Sequence, residues 1–248
     1  MATSAQTALP LFYKQLAVLN SREHGSWRRR TTEKLPWLAR QHAVPLTVEE
    51  FAQAQRHYPI IFSTGPDPVP LALMGPEEGV NVFFREDGSP VGPVYVPAYA
   101  RRYPFMLVRL KPQSTDLSLC FDPTSDLVGA FDDGEMLFEG AGPSEAGRTV
   151  LRFCEQFEIA SRRTASFMAD LAKHGLLMDG ELAIRRPGSE KPFVYRGFQT
   201  IDPRKLRDLP AEVLSEWNRS NALSMIYAHI MSLELITVIF EREPNRRA

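Results

Sequence analysis

Hydrophobic positions along this 248-residue chain change period as it is followed. Residues 1–46 show little periodicity. Thr47 then precedes Val48-Glu49-Glu50-Phe51, the order of a capping box, and predicts a helix ending near Arg56, because Pro59 drives Tyr58 out of the helical region. From Pro59 to Pro112 the apolar residues come in short β-type runs: Ile60-Ile61-Phe62, Leu71-Ala72-Leu73-Met74, 80–84, Val94-Tyr95-Val96 and 105–110. Ten of the twenty prolines lie in this stretch. A proline removes a ladder donor, so this density predicts edge strands and bulges rather than a continuous parallel sheet. Asp87-Gly88 supplies a hairpin turn, and 117–121 and 136–138 are further strands.

Beyond Gly140-Ala141-Gly142-Pro143 the period becomes helical. Val150, Leu151, Phe153, Cys154, Phe157, Ala160, Thr164, Phe167, Met168 and Leu171 keep one face of a long helix, opened by Pro143 or Ser144 and closed by Gly175. A hairpin follows, Leu182-Ala183-Ile184 against Phe193-Val194-Tyr195, turning at Pro187-Gly188. Asp202-Pro203 starts a short helix and Pro210 a last helical stretch running towards Glu241. This order predicts an α+β fold: a mixed, largely antiparallel sheet from short Pro-interrupted strands, packed by a long central helix and a long C-terminal helix. One domain, 1–248, is expected, with residues 1–11 flexible.

Composition narrows the class. With 44% hydrophobic and 24% charged residues and a net charge of −1, the chain reads as a soluble globular protein and not as a basic nucleic-acid binder. Two cysteines, Cys120 and Cys154, do not make a secreted disulfide framework and read as buried thiols. No Lys or Arg precedes the apolar residues of the first ten positions, so no signal peptide is expected. The apolar run 222–240 is long enough to span a bilayer, but His229 and Glu234 interrupt its centre, and it is read as a core helix. The reading is cytoplasmic, with no membrane span.

Common reaction centres lack their local signatures. The histidines (His24, His42, His57, His174, His229) are scattered, none in His-Glu-x-x-His, and no Cys-x-x-Cys occurs, so neither metal nor cofactor is expected. Gly140-x-Gly142-x-x-x-x-Gly147 misses the dinucleotide spacing, and no Gly-Lys-Ser/Thr follows, so a loop plus helix cap accounts for it. Ser144 has the strand–turn–helix setting of a nucleophile elbow, but the preceding proline suits a cap better. Asp132-Asp133 and Glu77-Glu78 sit beside glycine in turns, where they read as solvated charge. Arg28-Arg29-Arg30 and Arg162-Arg163 could grip an anion, but they read as salt-bridged surface.

The densest chemistry lies at Val94-Tyr-Val-Pro-Ala-Tyr-Ala-Arg-Arg-Tyr-Pro-Phe105, with three tyrosines and two arginines in twelve residues. One helical turn would place Tyr99, Arg102 and Tyr103 on a shared face, an amphipathic anchor for a protein partner or a small anionic or sugar-like ligand. The bland alternative is a corner whose Arg caps a helix and whose rings fill a core. Arg56-His57-Tyr58-Pro59-Ile60-Ile61-Phe62 echoes Arg101-Arg102-Tyr103-Pro104-Phe105-Met106-Leu107: basic residues at a helix end, then a Tyr-Pro step into a strand.

These blocks, with Leu19-Asn-Ser-Arg-Glu-His24, Gly197-Phe198 and Ile226-Tyr-Ala-His-Ile-Met-Ser-Leu233, resemble the bacterial SapC family in the expected order from about residue 12 to 240. The family more usually carries Glu-Arg-His at the amino end. The resemblance implies association with surface-layer export loci or outer-membrane uptake systems and carries over no catalytic residues. Two readings stay open. One is an accessory or binding protein using Tyr99, Arg101, Arg102 and Tyr103, with His24, His57 and His229 converging on the same pocket. The other is an enzyme, an oxygenase or hydrolase on peptide or glycan, assembled from scattered His, Arg and Tyr. A homo-oligomer is a further option.

Overall fold

The structure, a computed structural model, describes residues 9–111, 113–184 and 193–242. The chain divides into two compact units, Met1–Glu33 with Arg101–Glu158, and Lys34–Ala100 with Ile159–Ala248. In chain order the strands are β1 (Ala17–Val18), β2 (Arg28–Arg29), β3 (Ala43–Pro45), β4 (Ile60–Phe62), β5 (Pro70–Leu73), β6 (Phe105–Val108) and β7 (Ser118–Phe121). They continue as β8 (Val128–Gly129), β9 (Glu135–Met136), β10 (Phe138–Glu139), β11 (Gly142–Pro143), β12 (Leu177–Ile184) and β13 (Phe193–Ile201). The helices are α1 (Ser21–His24), α2 (Phe51–Ala54), α3 (Ala98–Arg101), α4 (Glu145–Lys173), α5 (Pro203–Arg207), α6 (Ala211–Arg219), α7 (Ala222–Ser232) and α8 (Ile236–Arg242). All strand pairs among the described residues are antiparallel, and the fold is α+β.

The first unit is held by two three-stranded sheets, β1-β7-β6 and β8-β2-β9, and the β10–β11 hairpin. Strand β6 alternates, with Phe105 and Leu107 turned into a core that also holds Phe121, Val128, Leu137, Val150 and Cys154. Residues 136–138 do not form one strand. The amide of Leu137 donates to the Trp27 carbonyl, which separates β9 from β10.

The second unit is built on a five-stranded sheet, β12-β13-β4-β5-β3. The capping box forms as its sequence predicts: the Thr47 amide and hydroxyl donate to Glu50 Oε2 at 2.8 and 2.9 Å. The helix begins as a 3-10 turn, Val48–Glu50, before α2. Helix α4 runs from the first unit, up to Glu158, into the second, and Gly175 follows its end with a left-handed φ of 61°. The β12–β13 hairpin pairs Leu182 with Tyr195 as expected and extends back to Leu177 opposite Ile201; its Pro187-Gly188 turn lies outside the described residues, as do residues 1–8.

Three further expected elements differ. Residues 80–84 form no strand, because the Asn81 side-chain oxygen takes the amides of Phe83 and Phe84, which a ladder would need. What remains is a single Phe84–Pro90 bridge around the Asp87-Gly88 turn. There Gly88 has φ of 80°, and a Cβ would sit 2.2 Å from the Pro36 nitrogen, so no other residue fits. Residues 94–96 form no strand, because side chains hold this backbone (below). The last helical stretch breaks into α6, α7 and α8: Asn221 adopts φ of 69°, and the turn Leu233–Leu235 is 3-10.

Candidate functional site

The tyrosine–arginine corner is built from the capping box upward. Glu50 is buried, and while its Oε2 closes the Thr47 cap, its Oε1 accepts from the Tyr95 hydroxyl (3.0 Å) and the Ala98 amide (2.6 Å). Tyr58, fully buried, donates its hydroxyl to the Tyr95 carbonyl at 2.5 Å. Burial pushes the Tyr58 hydroxyl far above the ordinary tyrosine range, so it stays a donor. Residues 95–98 are therefore fixed by side chains arriving from 37 to 48 positions earlier. Tyr99 is buried, and the Ala100 carbonyl accepts from the Trp37 indole at 3.2 Å.

Past Ala100 the corner continues in the first unit. Arg102 is 7% exposed; its guanidinium lies 4.2 Å over the Phe157 ring and 3.8 Å from Glu158. A buried cation needs such company, since leaving it unpaired costs several kcal/mol, roughly 3–5. Arg101 is exposed, with its guanidinium 5.3 Å over the Phe153 ring. Tyr103 is half-buried, edge-on to Tyr13 (5.3 Å) and Phe12 (6.3 Å). Burial raises its hydroxyl pKa, opposed by a hydrogen bond with Ser125. Asp122 closes this region: burial alone would push its carboxyl up, but bonds from the Lys14 and Thr124 amides and the Thr124 hydroxyl outweigh it, and the net displacement is downward.

The three histidines have separate local roles. His24, in the first unit, meets Asn20 through Nδ1 (3.2 Å) and packs edge-on to Trp27 and Phe121. His57, in the second unit, follows α2 beside Tyr58; partial burial and Arg56 lower its pKa. His229 is fully buried in the same unit. Its Nδ1 donates to the Ile60 carbonyl at 2.7 Å, and its Nε2 accepts from the Thr200 hydroxyl (2.9 Å) and the Ile201 amide (3.3 Å). Burial lowers its pKa to about 4. The contacts of His24 are thus with Asn20, Trp27 and Phe121, those of Arg102 with Phe157 and Glu158, and those of His229 with two strands of the second unit's sheet.

Other sequence motifs find structural work. The Ser144 hydroxyl donates to the Met136 carbonyl and accepts from the Gly147 amide at 3.0 Å, as a helix cap does. A Cβ on Gly147 would lie 2.3 Å from the Leu137 carbonyl, so this glycine serves close packing. Arg28 donates to the Gly134 carbonyl, Arg29 pairs with Glu135, and Arg30 pairs with Asp133 over the Phe131 ring. Both cysteines are buried and free. Among the described residues no group of three His, Cys, Asp or Glu side chains gathers at metal-binding distance. The run Ala222–Arg242 is long and apolar enough to cross a membrane by length and composition, with mean hydropathy 1.8 in its most apolar window, 39% of which is buried. Sequence reading missed Glu50 and Asp122 as hubs. The Glu50 cap was visible, but its second oxygen is satisfied by residues 45 and 48 positions away.

These features define an α+β protein of antiparallel sheets whose one tyrosine- and arginine-rich segment is clamped by buried polar side chains. The chain belongs to the SapC family, whose model matches residues 19–238. No curated protein and no solved structure matches it.

Proposed function

We propose that this SapC-family chain is a cytoplasmic accessory or binding protein working with surface-layer export or outer-membrane uptake machinery, and that Arg101 and Tyr103 carry its contact with a protein partner or a small anionic or sugar-like ligand. What supports this is the division of labour in the corner: Tyr99 and Arg102 are buried, while Arg101 is exposed and Tyr103, just before β6, is half-exposed. Arg and Tyr are the residue types that most often anchor interfaces, and the Arg101 guanidinium already lies over the Phe153 ring. His24, in the same unit, remains a candidate for that contact; His57 is a separate candidate within the second unit, and His229 is assigned a supporting role there, since both its ring nitrogens are engaged.

The test is a photo-crosslinking amino acid placed at position 101, with exposed Glu78 as control. A discrete adduct that forms at 101, fades in Tyr103→Ala and contains an envelope export or uptake component supports the reading. Labelling at 101 no different from labelling at 78 overturns it.

A further inference from the structure

The register between β4 and β13 contains a gap filled from outside the sheet. On one side of β4 the main-chain groups of alternate residues face β5, as the Leu73 amide to the Pro59 carbonyl and the Ser63 amide to the Val69 carbonyl show. Those of Ile60 and Phe62 therefore face β13. Phe62 pairs with Gln199, and the same antiparallel register sets Ile60 opposite Ile201. Yet the Ile201 amide donates to His229 Nε2, and the Ile60 carbonyl accepts from His229 Nδ1. The Ile60 amide donates to the Ser232 hydroxyl oxygen at 2.8 Å, one turn further along α7. An imidazole thus stands where a ladder bond would run, stacked on the Phe62 ring at 4.5 Å and 24°.

Only one protonation state fits. A backbone amide can only donate and a carbonyl only accept, so Nε2 is bare and Nδ1 carries the hydrogen. A second proton, on Nε2, would face the Ile201 amide donor to donor and place a charge in a fully buried position. Among the described residues no counter-ion offsets it. Helix α2 and strand β4 carry no ionisable side chain; β13 has Tyr195 and Arg196, the latter paired with Glu181 of β12, which also has Asp179. Helix α6 contributes Glu212, Glu216 and Arg219, the Leu233–Leu235 turn Glu234, and α7 itself exposed Tyr227. Burial, opposed by the bond to Ile60, sets the downward displacement of His229, and none of these groups is among its causes.

We propose that His229 is an acid-sensitive latch: on taking up a proton it lets go of Ile201 and frees the β12–β13 hairpin from β4, leaving Ile60–Phe62 as an open strand edge. The sign follows from its displacement from 6.5 to about 4. Within that window the released ring binds a proton that the docked ring refuses, so docking weakens as pH falls from 6.5 and levels off below 4. Hydrogen exchange of the 248-residue chain tests this. Protection of the Ile201 amide should fall about fortyfold between roughly pH 6.5 and 4.5. In His229→Gln, whose amide donates and accepts in the same sense without titrating, protection should change less than about twofold. Equal loss in both proteins, or flat protection in the native chain, overturns the proposal. If His229→Gln does not fold, the ring nitrogens of the native protein decide by nitrogen-15 NMR: a neutral Nδ1–H ring at about pH 5 supports the latch, and titration near the ordinary histidine value overturns it.

Discussion

Removing the Glu50 carboxylate would leave the Thr47 amide and hydroxyl, the Tyr95 hydroxyl and the Ala98 amide without their acceptor. Each bare buried donor costs about 1–3 kcal/mol, partly relieved by water, so Glu50→Ala should lower folding stability by about 3 kcal/mol in urea denaturation. A loss under about 1 kcal/mol would show that this hub does not hold the corner. The cysteines give a second check at this scale. Burial pushes the Cys154 thiol up to about 12 and raises that of Cys120 as well. At pH 8 neither supplies thiolate, so a disulfide reagent such as DTNB should react with neither in the native protein and with both in urea.

Helix α4 was readable from its ends and its stripe because both are local. Ser144 and Gly175 punctuate it, and Val150, Cys154, Phe167, Met168 and Leu171 are the buried side of its period. Ser144→Ala should cost about 1 kcal/mol through the lost cap, read as a shift in the denaturation midpoint, and a fluorophosphonate should label neither form. Labelling of the native chain alone would show that Ser144 is a nucleophile instead. The strands at 80–84 and 94–96 were misread because side chains take the place of ladder partners, locally in the first and from a distance in the second. Their apolar content is β-like, but Asn81, Glu50 and Tyr58 hold the backbone or the segment around it, and for 94–96 those partners lie far away in sequence. The corner was legible as a cluster of residue types. Which of its members face outward was not, because burial of Arg102 depends on Phe157 and Glu158, some 55 positions on.

The chain passes between its two compact units at Glu33–Lys34, Ala100–Arg101 and Glu158–Ile159, so neither unit is a contiguous stretch of sequence. Local pattern reading could identify the α+β class, since that needs only element types. It could not draw these units, which depend on long-range contacts. The family match covers segments of both. The most apolar helical run, Ala222–Arg242, is also the last described segment to leave the ribosome. Tyr227 and Met231 remain 52% and 67% exposed on it, while His229 and Ser232 reach Ile60, Thr200 and Ile201. Every one of those receptors is synthesised before the helix itself. Domains fold as units during translation, amino end first. The greasiest segment therefore emerges when the strands that shelter it have already been made.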